Sequence, residues 1–267
     1  MSVAVLLPHY KNLNGLRLTL ESLVSESSLF TLFLIDDGSK LDKELEILCD
    51  GFRKHFRIEL ILNSKNLGIT RTLNFGLKKI CELNKFEFIA RIDAGDRNLN
   101  ERFKEQVSYM QNNPTVALLG SFVRFVNMDR QKLFDLTPAT NYNQLKKDIH
   151  VYNPFIHPAV MIRTAIIENI GFYPEDYPAL EDHAFFMRIS KKHETAVLNK
   201  VLVEYELNPT GISLSKRSTQ TKSRLKLFLD NYYFGIYPTY GLIRAFLTHL
   251  ISPSILNWFK VRLYKNR

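Results

Sequence analysis

The 267-residue sequence contains only two cysteines, Cys49 and Cys81, and no cluster of metal-ligand spacing surrounds them. That excludes a disulfide framework or a zinc module and leads one to expect free thiols in a reducing compartment. Neither G-x-G-x-x-G nor G-x-x-x-x-G-K-[ST] occurs, so a dinucleotide fingerprint and a P-loop are both absent. No uninterrupted apolar run reaches the ~18–20 residues of a membrane-spanning helix. The first residues, MSVAVLLPHYKN, lack the basic n-region and small-residue cleavage site of a secretory leader. They read as a first strand, and a cytoplasmic location is the expectation. Acids are nearly missing from the C-terminal end: residues 216–267 hold ten Lys/Arg and one acid, Asp230. The other 215 residues carry 26 bases and 26 acids, so the formal charge of +9 lies entirely in that tail. A neutral body with a basic, aromatic tail implies an anionic surface as partner. Nucleic acid is disfavoured, because no recognition motif accompanies the charge.

What is present is an alternation of strands and helices in the first half. Apolar runs at 3–8 (VAVLLP), 30–35 (FTLFLI), 58–62 (IELIL) and 86–92 (FEFIARI) read as strands. Helical patterns fall between them, at 13–24, 41–54 and 69–83. Continuous apolar strands between amphipathic helices predict a largely parallel sheet covered on both faces. In such sheets ligands bind beyond the carboxyl ends of the strands. Those ends carry Pro8-His9-Tyr10, Asp36-Asp37-Gly38-Ser39, Asn63 and Asp93-Ala94-Gly95-Asp96. Four strands thus deliver polar or aromatic groups to one edge. The second half is mixed: strands are expected at 116–126, 158–163 and 195–206, with helices at 182–193 and 214–235. In the tail, 241–251 and 253–265 are apolar stretches broken by basic residues, the pattern of helices lying in a membrane interface.

By itself "DAGD", residues 93–96, is also a good turn, since Asp and Gly favour turns. The wider set of motifs decides between the two readings. "LLPHYKN", "LFLIDDGSK", "SKNLGITRTLNFGL", "FIARIDAGDRNLNERFKEQVSYM", "HPAVMIR" and "ALEDHAFFMRI" occur in this order. Together they resemble the family 2 glycosyltransferases of bacterial polysaccharide and lipopolysaccharide synthesis, over roughly residues 2–215. The resemblance implies the α/β GT-A fold: a Rossmann-like, mixed and mostly parallel sheet flanked by helices. The expected division is a GT-A domain at 1–215 and a basic helical appendage at 216–267.

It also implies site residues. Pro8, Tyr10, Asp36, Asp37, Asn66, Arg71 and Asp93 fall at nucleotide-binding positions, with Lys65, Gly68 and Asn74 in the same bordering stretch. An acid near the base can accept the N3–H of uracil or thymine and ribose hydroxyls, which suits a UDP- or dTDP-sugar donor. Arg71 is a diphosphate candidate or simply an exposed helical arginine. "DAGD" stands where the family has its DxD motif, so Asp93 is expected on ribose or on Mn²⁺ or Mg²⁺. Gly95 replaces the usual metal-binding acid, leaving Asp96 as metal ligand or helix cap. In "ALEDHAFFMRI", Asp182 is the implied catalytic base and Glu181 its support or an acceptor contact. His157 is implied at the acceptor or diphosphate, or in a structural role, and Lys216 or Arg217 as a basic clamp.

The activity implied is an inverting transfer from a nucleotide sugar to a hydroxyl of a growing surface glycan or lipid-linked acceptor. It would take place at the inner face of the cytoplasmic membrane. The alternatives are a GT-A-like scaffold made inactive by Gly95, or a non-enzymatic protein that binds a membrane surface.

Overall fold

The computed structural model describes residues 3–207 and 216–250. Strands β1 (Val3–His9), β2 (Phe30–Asp36), β3 (Arg57–Leu62) and β4 (Phe88–Arg91) form the parallel part of one sheet, in the order β3-β2-β1-β4. Helices α1 (Leu13–Leu23), α2 (Asp42–Arg53) and α3 (Ile69–Glu82) make the crossovers. The parallel register sets His9 beside Asp36 and brings Asp93, just past β4, to the same edge. The sheet continues through β8 (Met161–Arg163), β6 (Val116–Val126), β9 (Glu194–Glu206) and β5 (Arg97–Asn98), with β7 (Lys132–Leu136) paired to β6. β8 runs antiparallel to both neighbours, so the sheet is mixed.

Alternation along β1 divides the core in two. Val3, Val5 and Leu7 pack with Leu16, Leu20, Leu45 and Phe103 on one face. Ala4 and Leu6 pack with Leu73, Leu77, Phe185 and Phe186 on the other. The first layer holds α1, α2 and α4 (Arg102–Asn112); the second holds α3 and α7 (Glu181–Lys192). Short helices α5 (Tyr142–Asp148) and α6 (Ile167–Ile170) precede α7.

Two helices follow residue 215. These are α8 (Arg217–Asp230) and α9 (Ile236–Leu250). Leu227, Phe228 and Ala245 are buried in the same core as α3 and α7, so both helices lie against the body of the sheet. The expected boundary at 215/216 adjoins residues outside the described range, as does the expected interfacial stretch 253–265. No helix among the described residues is long and apolar enough to cross a membrane.

Arg102 shows how the sheet edge is made rigid. It is fully buried, and its Nη2 donates to the Arg91 and Val160 carbonyls at 2.9 and 3.1 Å. Its Nε donates to Gln106 Oε1 at 2.9 Å. One guanidinium thereby ties α4 to β4 and to the segment entering β8.

Candidate active site

Asp36 ends β2 and Asp37 follows it, and both carboxylates are buried. Asp36 accepts from Ser39 N at 2.7 Å and Ser39 Oγ at 2.6 Å and lies 2.8 Å from His9 Nδ1. His9 Nε2 accepts from Asn12 N at 3.1 Å, so Nδ1 carries the proton toward Asp36. Asp37 accepts from Leu67 N, Gly68 N and Thr72 Oγ1 at 2.7, 3.0 and 2.7 Å. In this structure the pair builds the loops at the carboxyl edge of the sheet, and its oxygens already serve protein donors. Pro8 is buried within β1. Asn74 likewise spends both amide atoms on the backbone of Tyr173, at 2.9 and 2.8 Å. Tyr10, Lys65, Asn66 and Arg71 are exposed. Lys11 lies 5.2 Å from the Tyr10 ring centre, and Arg71 pairs with Glu175 at 2.8 Å.

Beyond β4 the arrangement is different. Arg91 is buried, and every nitrogen of its guanidinium donates. Nη1 donates to the Leu6 and Ile92 carbonyls, both at 2.9 Å, and Nη2 to Asp93 Oδ1 at 2.7 Å. Its Nε donates to His157 Nε2 at 3.2 Å, and the Tyr173 hydroxyl donates to that same nitrogen at 2.9 Å. Two donors on Nε2 make His157 a neutral ring with its proton on Nδ1. Burial and the Arg91 charge keep its pKa well below the usual imidazole value. Asp93 remains partly open to solvent, whereas Asp96 is buried.

Asp96 Oδ1 accepts from Glu206 N at 2.9 Å, and its Oδ2 has no hydrogen-bond partner. Burial, followed by the nearby Asp93 charge, raises its pKa well above the ordinary carboxyl range. Gly95 has φ +116°, a left-handed conformation that disfavours side chains. A Cβ there would stand 3.7 Å from Glu206 Oε1, so a carboxylate from β9 reaches the space of the missing acid. Arg130 donates to the Gly95 carbonyl at 2.6 Å and pairs with Glu206 at 3.2 Å.

Among the described residues no three acidic, imidazole or thiol groups converge into a metal cage. A Mg²⁺-type ion on a diphosphate needs only one or two carboxylates, because phosphates and water fill its other positions. The open oxygen of Asp93 and the unpartnered Oδ2 of Asp96 fit that modest demand. Asp93 is the one within reach of solvent.

Glu181 and Asp182 occupy the first turn of α7, where the helix dipole favours negative charge. Before them, Ala179 takes a left-handed φ of 60°, and its carbonyl accepts from Gln220 Nε2 at 3.2 Å. Asp182 is half-buried and accepts from Asn153 Nδ2 at 3.0 Å. Burial raises its pKa, against the lowering effect of backbone N–H groups and Arg224. Glu181 is buried with Oε2 unpartnered. Its pKa is pushed up to about 7 by burial and the Asp182 charge, while Arg91 pulls it down. The two acids therefore face different neighbours: Glu181 feels Arg91 and Asp93, and Asp182 feels Arg224. Lys216 is exposed ahead of α8, and Arg217 is its first residue.

Residues 4–171 match the family described as Glycosyl transferase family 2. The chain belongs to that family. It is a nucleotide-sugar-dependent glycosyltransferase. The amylovoran biosynthesis glycosyltransferase AmsE of Erwinia amylovora is 29% identical over 265 residues, covering 96% of each chain. The UDP-Gal:alpha-D-GlcNAc-diphosphoundecaprenol beta-1,3-galactosyltransferase of Escherichia coli is 28% identical over 157 residues, 59% of this chain and 55% of that one. Among solved structures, S. aureus TarS 1–349 in complex with UDP-GlcNAc aligns with a TM-score of 0.69 at 19% identity. That alignment covers 90% of this chain and 69% of TarS. A mannosyltransferase from Pyrobaculum calidifontis, solved with GDP-Man and Mn²⁺, aligns at 0.63 and 12%, covering 91% and 68%. The expected GT-A fold is borne out.

Sequence reasoning passed over Arg91, Asn153, Tyr173 and Glu206. Arg91 did carry a signal, a charged residue inside the apolar run FIARI, which must find partners when buried. The other three stand in segments whose local pattern is ordinary.

Proposed function

We propose that this family 2 glycosyltransferase works by inversion, with Asp182 as general base. Asp182 takes the acceptor hydroxyl proton as the oxygen bonds to the donor's anomeric carbon. The bond from that carbon to the diphosphate breaks on the opposite face, and the nucleoside diphosphate leaves with its electron pair. The observation that carries this reading is the placement of Asp182. It is a half-buried carboxylate of raised proton affinity at a helix N-terminus, held by Asn153 next to Glu181. Asp93, Tyr10 and Arg71 are the donor-side residues left open to a nucleotide, and Arg91 fixes Asp93. His157 acts through its contact with Arg91 and Tyr173. A divalent cation bound at Asp93, above Asp96, would neutralise charge on the leaving diphosphate.

The proposed donor is a UDP- or dTDP-sugar, and the proposed acceptor a surface glycan or its lipid-linked precursor. A nucleotide-sugar screen by thermal shift with and without Mn²⁺, followed by donor hydrolysis, tests the assignment. Failure to bind or hydrolyse any nucleotide sugar would favour the inactive scaffold instead.

We also infer that the protein sits peripherally on the cytoplasmic face of an anionic membrane. Ile236, Tyr240, Ile243, Leu247 and Leu250 recur at i+4 and i+3 along α9 and are 51–84% exposed. Phe234 and Phe246 extend this apolar face. The adjoining sequence, 251–267, has four basic residues and no acid. An apolar stripe joined to basic charge is the make-up of an interfacial helix.

A further inference from the structure

A cavity of about 320 Å³ opens at the end of α7 opposite to Glu181 and Asp182. Its polar lining comes from Lys146 on α5, from His150 just beyond that helix, and from Ser190 and Lys191 in the last turn of α7. Ile149, Met187 and Tyr233, the last from the turn between α8 and α9, form an apolar wall. Ser190 lies roughly 12 Å beyond Asp182 along the axis of α7. The cavity and the cleft at Asp182 are therefore different places.

Two buried polar groups in this lining have nothing to bond. His150 is 6% exposed, and its ring nitrogens hydrogen-bond no other described residue. The ring meets Tyr233 edge-on, with 5.2 Å between ring centres. Burial and the Lys191 charge hold its pKa down at about 4, so it is a neutral imidazole with one N–H to donate. Ser190 is 1% exposed, and its Oγ has no partner. Among the described residues no acid pairs with either lysine. Lys191 donates to Asn231 Oδ1, and Lys146 Nζ lies 5.6 Å from the Tyr142 ring centre.

Helix dipoles account for lysines in the last turns of α5 and α7, since a cation is favoured there. They do not account for a hydroxyl and an imidazole that are buried and unpartnered, because each costs free energy until something bonds to it. Two ammonium groups, a hydroxyl and an imidazole N–H can all donate to one anion. A phosphate monoester carries about −1.5 to −2 charge at neutral pH and three strong acceptor oxygens, which matches two lysines. Lysine serves phosphate as a point charge. The apolar wall leaves room for an organic body beside the phosphate. That body is small, because the volume lies at the lower end of the ~300–1,000 Å³ of ligand pockets.

We propose that this cavity is a second ligand site, separate from the donor and acceptor cleft, and that it binds a small organic phosphate monoester. Lys146, Lys191, Ser190 and His150 take the phosphate, and Tyr233 and Met187 cover the organic part. The site uses no residue of the transfer mechanism proposed above and stands independently of it.

Phenyl phosphate is the probe, with inorganic phosphate, phenol and UDP as separate arms. Binding is measured by calorimetry on the full chain, as wild type, Lys146→Gln, Lys191→Gln and Ser190→Ala, each checked for folding by thermal melting. The wild type should bind phenyl phosphate about tenfold more tightly than inorganic phosphate or phenol, since only the ester uses both walls. Each Gln variant should weaken that binding by about tenfold, the loss of one charge-assisted hydrogen bond. Ser190→Ala should weaken it about threefold or more. Its melting temperature should not fall, because the hydroxyl has no partner to lose. This variant carries the test if a lysine variant does not fold. Saturating UDP should leave the probe bound, and the probe should slow amide exchange at the ends of α5 and α7.

Failure of the wild type to bind phenyl phosphate at millimolar concentration overturns the proposal. Equal affinity for inorganic phosphate also overturns it, by making this a plain ion site. Unchanged probe affinity in all three variants does the same. Full displacement by UDP, or exchange protection confined to the strand ends around Asp93, places the probe in the cleft and overturns the second site.

Discussion

Arg91 Nη2 donates to Asp93 Oδ1 at 2.7 Å from a side chain only 1% exposed, while Nε of the same guanidinium reaches His157. One cation thus holds both Asp93 and His157. Arg91→Met should cost about 3–5 kcal/mol in chemical denaturation, because it takes a donor from the Leu6 and Ile92 carbonyls and removes the partner of Asp93. It should also weaken UDP binding. Arg91→Lys should recover part of both. A loss under ~1 kcal/mol would mean that the buried network carries little of the local stability.

Asp182→Asn keeps the shape and the Asn153 neighbour but removes the base. Transfer should fall by on the order of 10²-fold or more, with UDP affinity unchanged. Near-normal turnover would take Asp182 out of the mechanism and leave Glu181 as the candidate.

Glu181 gives a stability prediction with a definite sign. Its pKa in the folded chain is raised from 4.5 to about 7, so the folded state favours the protonated acid. Its stabilising contribution is present below the unfolded value and is lost as pH rises through about 7. Glu181→Gln, permanently neutral, should therefore gain about 2–3 kcal/mol on the wild type between pH 5 and pH 8. Melting curves across that range are the check. A parallel pH dependence in the two proteins would contradict the raised value.

Asp37 separates scaffold from ligand contact. Asp37→Asn turns an acceptor toward three protein donors into a partial donor, at a cost of about 2–4 kcal/mol. Thermal stability should fall, while the preference for uridine over other nucleosides survives in the folded fraction. Loss of base preference without loss of stability would return Asp37 to the nucleotide.

The α9 stripe predicts vesicle binding with two components. The full chain should co-sediment with anionic vesicles, and added salt should weaken this only in part, because apolar insertion is not screened. Replacing Ile243, Phe246 and Leu247 by Ser should remove the salt-resistant part and leave UDP binding intact. Deleting the whole helix is a poorer test, because Ala245 is buried in the core that α9 shares with α7. If the intact protein stays in the supernatant at low salt, the stripe faces something other than a bilayer.

Much of the fold was legible because β1 and β2 are nearly continuous apolar runs and β3 a largely apolar one, set between amphipathic helices, a pattern that sheet burial imposes. The expected strand at 158–163 is only partly one: residues 157–159 form a 3₁₀ turn, and β8 is Met161–Arg163. Pro158 cannot donate to a ladder but suits a helical start. β7 and α5 carry too little apolar periodicity to stand out. The expected helix 214–235 ends earlier, at Asp230, and α9 begins at Ile236 beyond Gly235.

The site was legible as acids at strand ends, but residue type does not say where a carboxylate points. Asp36 and Asp37 look like ligand contacts in sequence, yet they face backbone N–H groups and hydroxyls. The Arg91–His157 contact joins residues 66 positions apart, and local sequence cannot announce it.

Gly241 has a consequence for how α9 can move. A Cβ at this position would fall 1.8 Å from the His150 carbonyl oxygen, so the helix backbone lies directly on the chain that leads to Asn153 and Asp182. Helix and Asp182 segment are keyed together with no side chain as cushion. Whatever α9 rests upon acts as a datum plane, and the height of the Asp182 carboxylate above it is set by the protein's own geometry. A substitution such as Gly241→Val would force that spacing open, changing the reach of the enzyme without touching a reacting atom.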